Sequence, residues 1–154
     1  MSRPAVLSIG SNLGDRLAHL RLAVIELAPY AVSSIWRTEP VGGVAQGEFL
    51  NAVLLCRLDA ATAWSRAQAA EQRAGRERVV RWGPRTLDVD VVLADGAVPP
   101  GLLLPHPRAH ERAFVLAPWL ELDPEALLPG RGAVADLLAG LDAGGVHRTD
   151  LVLG

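Results

Sequence analysis

The sequence has 154 residues, of which 50% are hydrophobic and 21% charged, and its formal net charge is −2. These values exclude a disordered chain, a basic nucleic-acid coat and a basic membrane binder, and the length predicts one domain over residues 1–154. All fifteen basic residues are arginine, which excludes a Walker-type phosphate loop and a Schiff-base lysine. Cys56 is the only cysteine, so we exclude a disulfide framework and expect a cytoplasmic protein. The sequence contains no apolar run long enough to span a membrane.

Short runs rich in valine, leucine and isoleucine predict the strands of one sheet. They occupy residues 5–9, 32–36, 49–58 and 87–93. Gly10 ends the first strand, and a glycine-rich loop over residues 38–47 separates the second from the third.

Apolar residues at helical spacing predict two helices between these strands. The candidate N-caps of the first helix are Ser11 and Asn12, with Asp15 three residues after Asn12 in a capping-box spacing. The candidate N-cap of the second helix is Asp59, and this helix runs to about residue 74. Weaker helical patterns follow over residues 108–120 and 134–141. The order β-α-β-β-α-β predicts an α+β fold of the ferredoxin-like kind, an antiparallel sheet with helices packed on one face, plus C-terminal additions.

Asp88 and Asp90 form the most informative pair of residues. Positions i and i+2 of a strand face the same side, which places the two carboxylates roughly 7 Å apart at the backbone. Aspartate is disfavoured in strands and like charges repel, but Mg²⁺ binds through one or two carboxylates plus substrate phosphates. The alternative to a metal site is that both aspartates lie on the solvent-exposed face of an amphipathic strand. The neighbouring segment just before them in the sequence favours the metal site.

That neighbouring segment is rich in arginine. It contains Arg73, Arg76, Arg78, Arg81 and Arg85. Guanidinium groups bind phosphate oxygens bidentately, so these arginines and the carboxylate pair form the two halves of a nucleotide-phosphate site. A basic surface loop is the alternative. Trp82 lies among the arginines and offers a ring for a flat ligand, although a core position is the usual role of a lone tryptophan.

Several further polar and aromatic residues are ambiguous when each is considered alone. Gln68 and Glu71 share a helix face that is solvent-facing by default, and His106, framed by two prolines, suits either a phosphate contact or a structural contact. Phe49 and Asn51 share a strand face, where a ring can stack on a heterocycle while the amide binds its edge. Core packing is the default role of Phe49 and of Phe114, the only other phenylalanine.

Together these residues resemble the 6-hydroxymethyl-7,8-dihydropterin pyrophosphokinase family of folate biosynthesis. The most specific match is the run RWGPRTLDVD over residues 81–90. Further matches occur in the same order over residues 10–14, 38–42, 49–52, 75–78 and 105–116. The C-terminal end of the chain carries no match.

The resemblance implies the reaction, the fold and the site. The implied reaction is the transfer of a diphosphate group from the co-substrate ATP to the pterin alcohol, with AMP as the other product. The implied metal site is formed by Asp88 and Asp90, which hold two Mg²⁺ ions. The implied catalytic residues are Arg76, Arg85, Asp88 and Asp90. The implied ATP contacts are Gln68, Glu71, Arg78, Arg81, Trp82, His106 and Arg112. The implied pterin contacts are Thr38, Val41, Gly42, Phe49, Asn51, Trp82 and Phe114.

Two other functions are compatible with the residues alone. One is a different metal-dependent phosphotransferase or nucleotidyltransferase, which would not depend on a pterin. The other is a non-catalytic ligand-binding module of the ferredoxin-like fold, which would bind its ligand without magnesium. For the favoured function we expect a monomer that acts on small molecules and binds neither nucleic acid nor membrane.

Overall fold

The computed structural model describes residues 3–39, 48–75 and 86–153. The elements are β1 (Ala5–Ser11), α1 (Arg16–Leu27), β2 (Ala31–Val32), β3 (Trp36–Thr38), β4 (Phe49–Cys56), α2 (Ala60–Arg73), β5 (Asp88–Leu93), a 3-10 turn (Ala109–Glu111), α3 (Ala113–Leu122), β6 (Leu127–Leu128), β7 (Gly132–Ala133), α4 (Val134–Ala139) and β8 (Val146–Arg148). Within these ranges no helix is long and apolar enough to cross a membrane.

The main sheet is antiparallel and has the strand order β5-β1-β4-β3-β8, with β2 also paired to β4. β6 and β7 form a separate two-stranded sheet. The predicted α+β ferredoxin-like fold is confirmed. β8 was not predicted from the sequence; it pairs with β3 and closes that side of the strand.

Helices cover both faces of the main sheet, so the prediction that they pack on one face is wrong. α1 and α2 pack on the face that carries Leu7 and Leu54, whereas α3 and α4 pack on the face that carries Val53 and Val92. The cause is visible in β1 and β4, whose residues are apolar at successive positions and almost all buried. A strand that is apolar on both sides needs a layer against each of them.

The helix starts agree in part with the predicted N-caps. Asp59 caps α2 by accepting a hydrogen bond from the backbone N–H of Thr62, as predicted. α1 is capped by Asp15, which accepts from the N–H of Ala18, and not by Ser11 or Asn12. The strand also continues past Gly10 to Ser11, so the predicted stop at Gly10 is wrong.

The predicted strand over residues 32–36 is split by a bulge. Val32 pairs with Leu54, whereas Trp36 pairs with Asn51, so the three residues 33–35 oppose only the two residues 52–53. One extra residue reverses the side to which every later side chain points. The bulge therefore turns Trp36 and Thr38 toward the face that α3 covers.

Candidate active site

Asp88, Gly10 and Asn51 lie side by side on three neighbouring strands. Gly10 of β1 pairs with Asp88 of β5 on one side and with Asn51 of β4 on the other. Directly opposed residues of antiparallel strands point to the same face, so the carboxylate and the amide flank a position that has no side chain. This row belongs to the face that α3 covers further along the sheet. It forms the floor of a site at one end of that face.

Gly10 is required by the side chains beside it. A Cβ at this position would lie 2.7 Å from Asn51 Nδ2 and 3.7 Å from Phe49 Cδ1. The first distance is too short for any real contact, so only glycine lets the Asn51 amide lie over β1. Phe49 and Asn51 are therefore both placed against the backbone of the central strand.

Thr38 fixes the orientation of the Asn51 amide. The Thr38 hydroxyl donates to Asn51 Oδ1 at 2.6 Å, and the asparagine is only 4% exposed. With its oxygen bound to β3, the amide directs its nitrogen toward Gly10. The structure thus brings Thr38, Phe49 and Asn51, three of the predicted pterin residues, into one cluster.

Phe114 lies on the same side of the sheet, at the start of α3, where it packs against the apolar residues of that face. The guanidinium carbon of Arg112 is 5.7 Å from the centre of the Phe114 ring. Arg112 Nη1 also lies 3.4 Å from Asp90 Oδ2, in a pair whose side chains are 27% and 43% exposed. Arg112 therefore connects the aromatic ring to the carboxylate pair.

His106 is held beside β5 by two backbone contacts. Its N–H donates to the carbonyl of Val92 at 2.8 Å, and its Nδ1 accepts from the N–H of Arg108 at 3.1 Å. Because Nδ1 accepts, the neutral ring carries its proton on Nε2 and can donate to a phosphate oxygen from there. Burial lowers the pKa of His106; Asp90 opposes that shift, and the cations Arg112 and Arg108 add to it.

A cavity of about 250 Å³ opens beside these residues at the outer edge of β5. Its lining includes the polar side chains of Asp90 and His106 and the apolar side chains of Trp64 and Leu103. Trp64 is half-buried on α2 and packs close to Gly101. Trp64 was not singled out as a site residue from the sequence, and this cavity was missed. The available signal was a large aromatic residue one turn before Gln68.

Glu71 braces the strand that carries the aspartates. Its Oε2 accepts a hydrogen bond of 3.0 Å from the backbone N–H of Val89, the residue between Asp88 and Asp90. This bond ties α2 to β5 where the two carboxylates leave the strand. Gln68, nearly one turn earlier on α2, is exposed. The predicted nucleotide roles of both residues stay predictions.

Comparison with known proteins identifies the family. The model of the 7,8-dihydro-6-hydroxymethylpterin-pyrophosphokinase family matches residues 6–124. The chain belongs to this family. A pyrophosphokinase of Mycobacterium leprae is 49% identical over an alignment of 171 residues. The alignment covers 96% of this chain and 90% of the relative. The pyrophosphokinase of Mycobacterium tuberculosis H37Rv is 48% identical, and the alignment covers 89% of this chain and 83% of the relative. That of Bacillus subtilis is 42% identical, and the alignment covers 79% of each chain. All three are named 2-amino-4-hydroxy-6-hydroxymethyldihydropteridine pyrophosphokinase.

The pyrophosphokinase match confirms the resemblance inferred from residues 81–90. It spans every site residue described above and ends before α4 and β8. Several predicted residues lie outside the described parts of the structure. They are Val41, Gly42, Arg76, Arg78, Arg81, Trp82 and Arg85.

The carboxylates of this pyrophosphokinase suit a magnesium ion that is shared with a substrate. Among the described residues no three or more histidine, cysteine, aspartate or glutamate side chains form a metal-binding group. Asp88 and Asp90 share one face, because they pair with Gly10 and Ser8 of the same strand. Mg²⁺ prefers oxygen ligands and keeps waters or phosphates in its remaining positions. Two carboxylates on one face fit that preference.

Proposed function

We propose that the face carrying Gly10, Asn51 and Asp88 is the active site of a pyrophosphokinase. Family membership gives the reaction: the protein transfers the diphosphate group from ATP to 6-hydroxymethyl-7,8-dihydropterin in folate biosynthesis. It is thus an ATP-dependent diphosphotransferase, and the non-catalytic module and the pterin-independent transferase are set aside. The observation that carries the site assignment is the row of carboxylate, glycine and amide on three adjacent strands.

The pterin occupies the amide side of this row. Asn51, oriented by the hydroxyl of Thr38, presents its amide nitrogen to an acceptor on the edge of the heterocycle. Phe49 and Phe114 lie on the same side of the sheet and supply rings for its two faces. The absence of a side chain at Gly10 leaves room for a flat ligand against the backbone.

The nucleotide occupies the carboxylate side. The cavity beside β5 receives the adenosine against Trp64, and the phosphates run past His106 toward Asp90. His106 donates to a phosphate oxygen through Nε2–H, and Arg112 donates through its guanidinium group. We assign two Mg²⁺ ions to Asp88 and Asp90. When bound, they neutralise the negative charge of the phosphates.

The chain's own residues contribute mainly by alignment. The pterin hydroxymethyl oxygen forms a bond to the β-phosphorus, the bond from that phosphorus to the bridging oxygen of AMP breaks, and the hydroxyl proton leaves to solvent. Asn51 and the two rings fix the nucleophile, while Trp64 and His106 fix the nucleotide. Holding two reactants in line is worth up to ~7–11 kcal/mol in well-oriented cases.

Product analysis tests this proposal. The full chain is incubated with ATP, Mg²⁺ and 6-hydroxymethyl-7,8-dihydropterin, and AMP is separated from ADP by chromatography. We expect AMP that appears only when the pterin is present and that is lost in Asp88→Asn. Formation of ADP would mean transfer of one phosphate, and AMP formation that persists in Asp88→Asn would overturn the assigned metal site.

Three coarser expectations stay predictions. The single cysteine favours a cytoplasmic location, and residues 1–154 are expected to form one domain. We also propose that the protein is a monomer, because both substrate sites are built from one chain. Light scattering at assay concentrations measures the molar mass directly.

A further inference from the structure

Glu121, in the last turn of α3, binds the bulge that separates β2 from β3. Its Oε2 accepts hydrogen bonds from the backbone N–H of Ser34 at 2.8 Å and from the Ser34 hydroxyl at 3.0 Å. Its Oε1 accepts from the indole Nε1–H of Trp36 at 2.9 Å. The Glu121 side chain is 17% exposed, and Arg148 Nε of β8 lies 3.8 Å from Oε1. One carboxylate therefore accepts from two donors of the bulge and from one donor at the start of β3.

The bulge lacks part of the regular strand pairing, which gives these bonds their importance. The N–H of Ser33 still donates to the carbonyl of Val53 at 3.0 Å, but the N–H of Val53 is taken by the Ser33 hydroxyl at 2.9 Å and not by a backbone carbonyl. The extra residue leaves the N–H of Ser34 without a strand partner. Glu121 supplies the acceptor, so a side chain of α3 completes the hydrogen bonding of the sheet.

The state of the bulge determines what β3 presents to the active site. With the extra residue, Trp36 pairs with Asn51 and Thr38 pairs with Phe49. Without it, the pairing of β2 would continue and Thr38 would point to the opposite face. The Thr38 hydroxyl would then be unable to reach Asn51. The orientation of the asparagine amide therefore depends on a register that Glu121 stabilises.

We propose that Glu121 is a positioning residue for pterin binding, which acts by fixing the bulge and thereby the Thr38–Asn51 hydrogen bond. The proposal rests on the assignment of Asn51 to the pterin site. The two ends of α3 then have different roles. Phe114 at its start contacts the pterin, whereas Glu121 at its end fixes the register of β3, the strand that orients the Asn51 amide.

Glu121→Gln in the full-length chain tests the proposal. The variant keeps the shape of the side chain but turns one acceptor oxygen into a donor, so either Ser34 or Trp36 loses its partner. We expect the KM for the pterin to rise about tenfold, while the KM for ATP and the kcat at saturating pterin stay within about twofold. Glu125→Gln, on an exposed residue without a described side-chain contact, is the matched control and leaves all three constants unchanged.

A second variant guards against a folding defect. Trp36→Phe removes the indole donor while keeping an aromatic ring, and it is expected to raise the pterin KM in the same direction by a smaller factor. Unchanged constants in both variants, or an equal rise of the KM for pterin and for ATP, would overturn the proposal.

A ligand-free spectrum distinguishes this proposal from the site assignment. The side-chain amide signals of ¹⁵N-labelled Asn51 respond to the Thr38 bond, because that bond is made to the oxygen of the same amide group. We expect them to shift in Glu121→Gln and to stay fixed in Glu125→Gln. If the wild-type chain makes no AMP, the site assignment fails, yet these signals still show whether Glu121 controls the amide. Signals that do not move in Glu121→Gln overturn the positioning role.

Discussion

Asp90 and Arg112 form an ion pair, with 3.4 Å between Oδ2 and Nη1, at the junction of the carboxylate and aromatic parts of the site. Both side chains are partly exposed, so the pair itself adds little to stability. The pair is important because it places two opposite charges side by side. Asp90 can bind a metal ion, and Arg112 can bind a phosphate held by that ion. The pair is therefore a natural first target for mutation.

Asp90→Asn is expected to reduce kcat by at least about a hundredfold, because a neutral amide replaces one of the two proposed magnesium ligands. Folding is expected to be unaffected, since the residue is partly exposed. Steady-state AMP formation and thermal unfolding provide the two measurements. Asp136→Asn, on the exposed side of α4, is the matched control. Turnover close to wild type would remove Asp90 from the metal site.

Gly10→Ala is expected to raise the KM for the pterin by tenfold or more, because the new Cβ would lie 2.7 Å from Asn51 Nδ2 and displace the amide. The KM for ATP is expected to change by less than about twofold, since the cavity beside β5 is not touched. Gly140→Ala, where the added carbon would meet only ordinary contacts, is the control. An equal effect on both substrates would mean that the substitution disturbs β1 and not the amide.

Trp64→Leu is expected to weaken nucleotide binding threefold to tenfold, because aromatic stacking is worth ~0.5–1.5 kcal/mol beyond the buried area. Leucine retains apolar volume next to the core, which limits the loss of stability. Titration with a non-hydrolysable ATP analogue in the presence of Mg²⁺ measures the effect. Trp64→Phe, which keeps a ring, is expected to bind close to wild type. Unchanged affinity in the leucine variant would place the adenine elsewhere.

The pKa of His106 is expected to lie below its usual value of 6.5, chiefly because the ring is buried. The folded protein then binds a proton on this ring less readily than the unfolded chain does. The contribution to stability is complete above the unfolded pKa and is lost as the pH falls through the folded pKa. NMR titration of the ring measures the pKa. Between pH 8 and pH 5 the wild type should lose more stability than His106→Gln; an equal loss would contradict the assignment.

The sequence was sufficient for the parts of the site that follow from strand periodicity. Asp88 and Asp90 were placed on one face by their spacing of two, and Phe49 and Asn51 in the same way, as β5 and β4 confirm. The bulge at residues 33–35 could not be predicted from this periodicity, because the alternation of side chains assumes an unbroken strand. Its only trace was a pair of serines inside an apolar run.

Long-range pairing accounts for the other differences. β8 has three residues, and its partner β3 lies more than a hundred positions earlier, so local sequence gives no indication of the pairing. The second helical layer was indicated by the apolar runs of β1 and β4, but periodicity does not say which later helix covers them. Glu121 had no sequence signal at all, since it is an ordinary acidic residue near the end of a helix.

The pairing of β8 with β3 has a consequence for variants that alter the C-terminal end. β8 occupies the free edge of the strand that carries Thr38, and Val146 pairs with that residue directly. Without β8, the backbone N–H and C=O groups along that edge would be exposed and ready to pair with another polypeptide. A tag or deletion close to residue 146 would therefore promote self-association of the protein, which would be visible as turbidity.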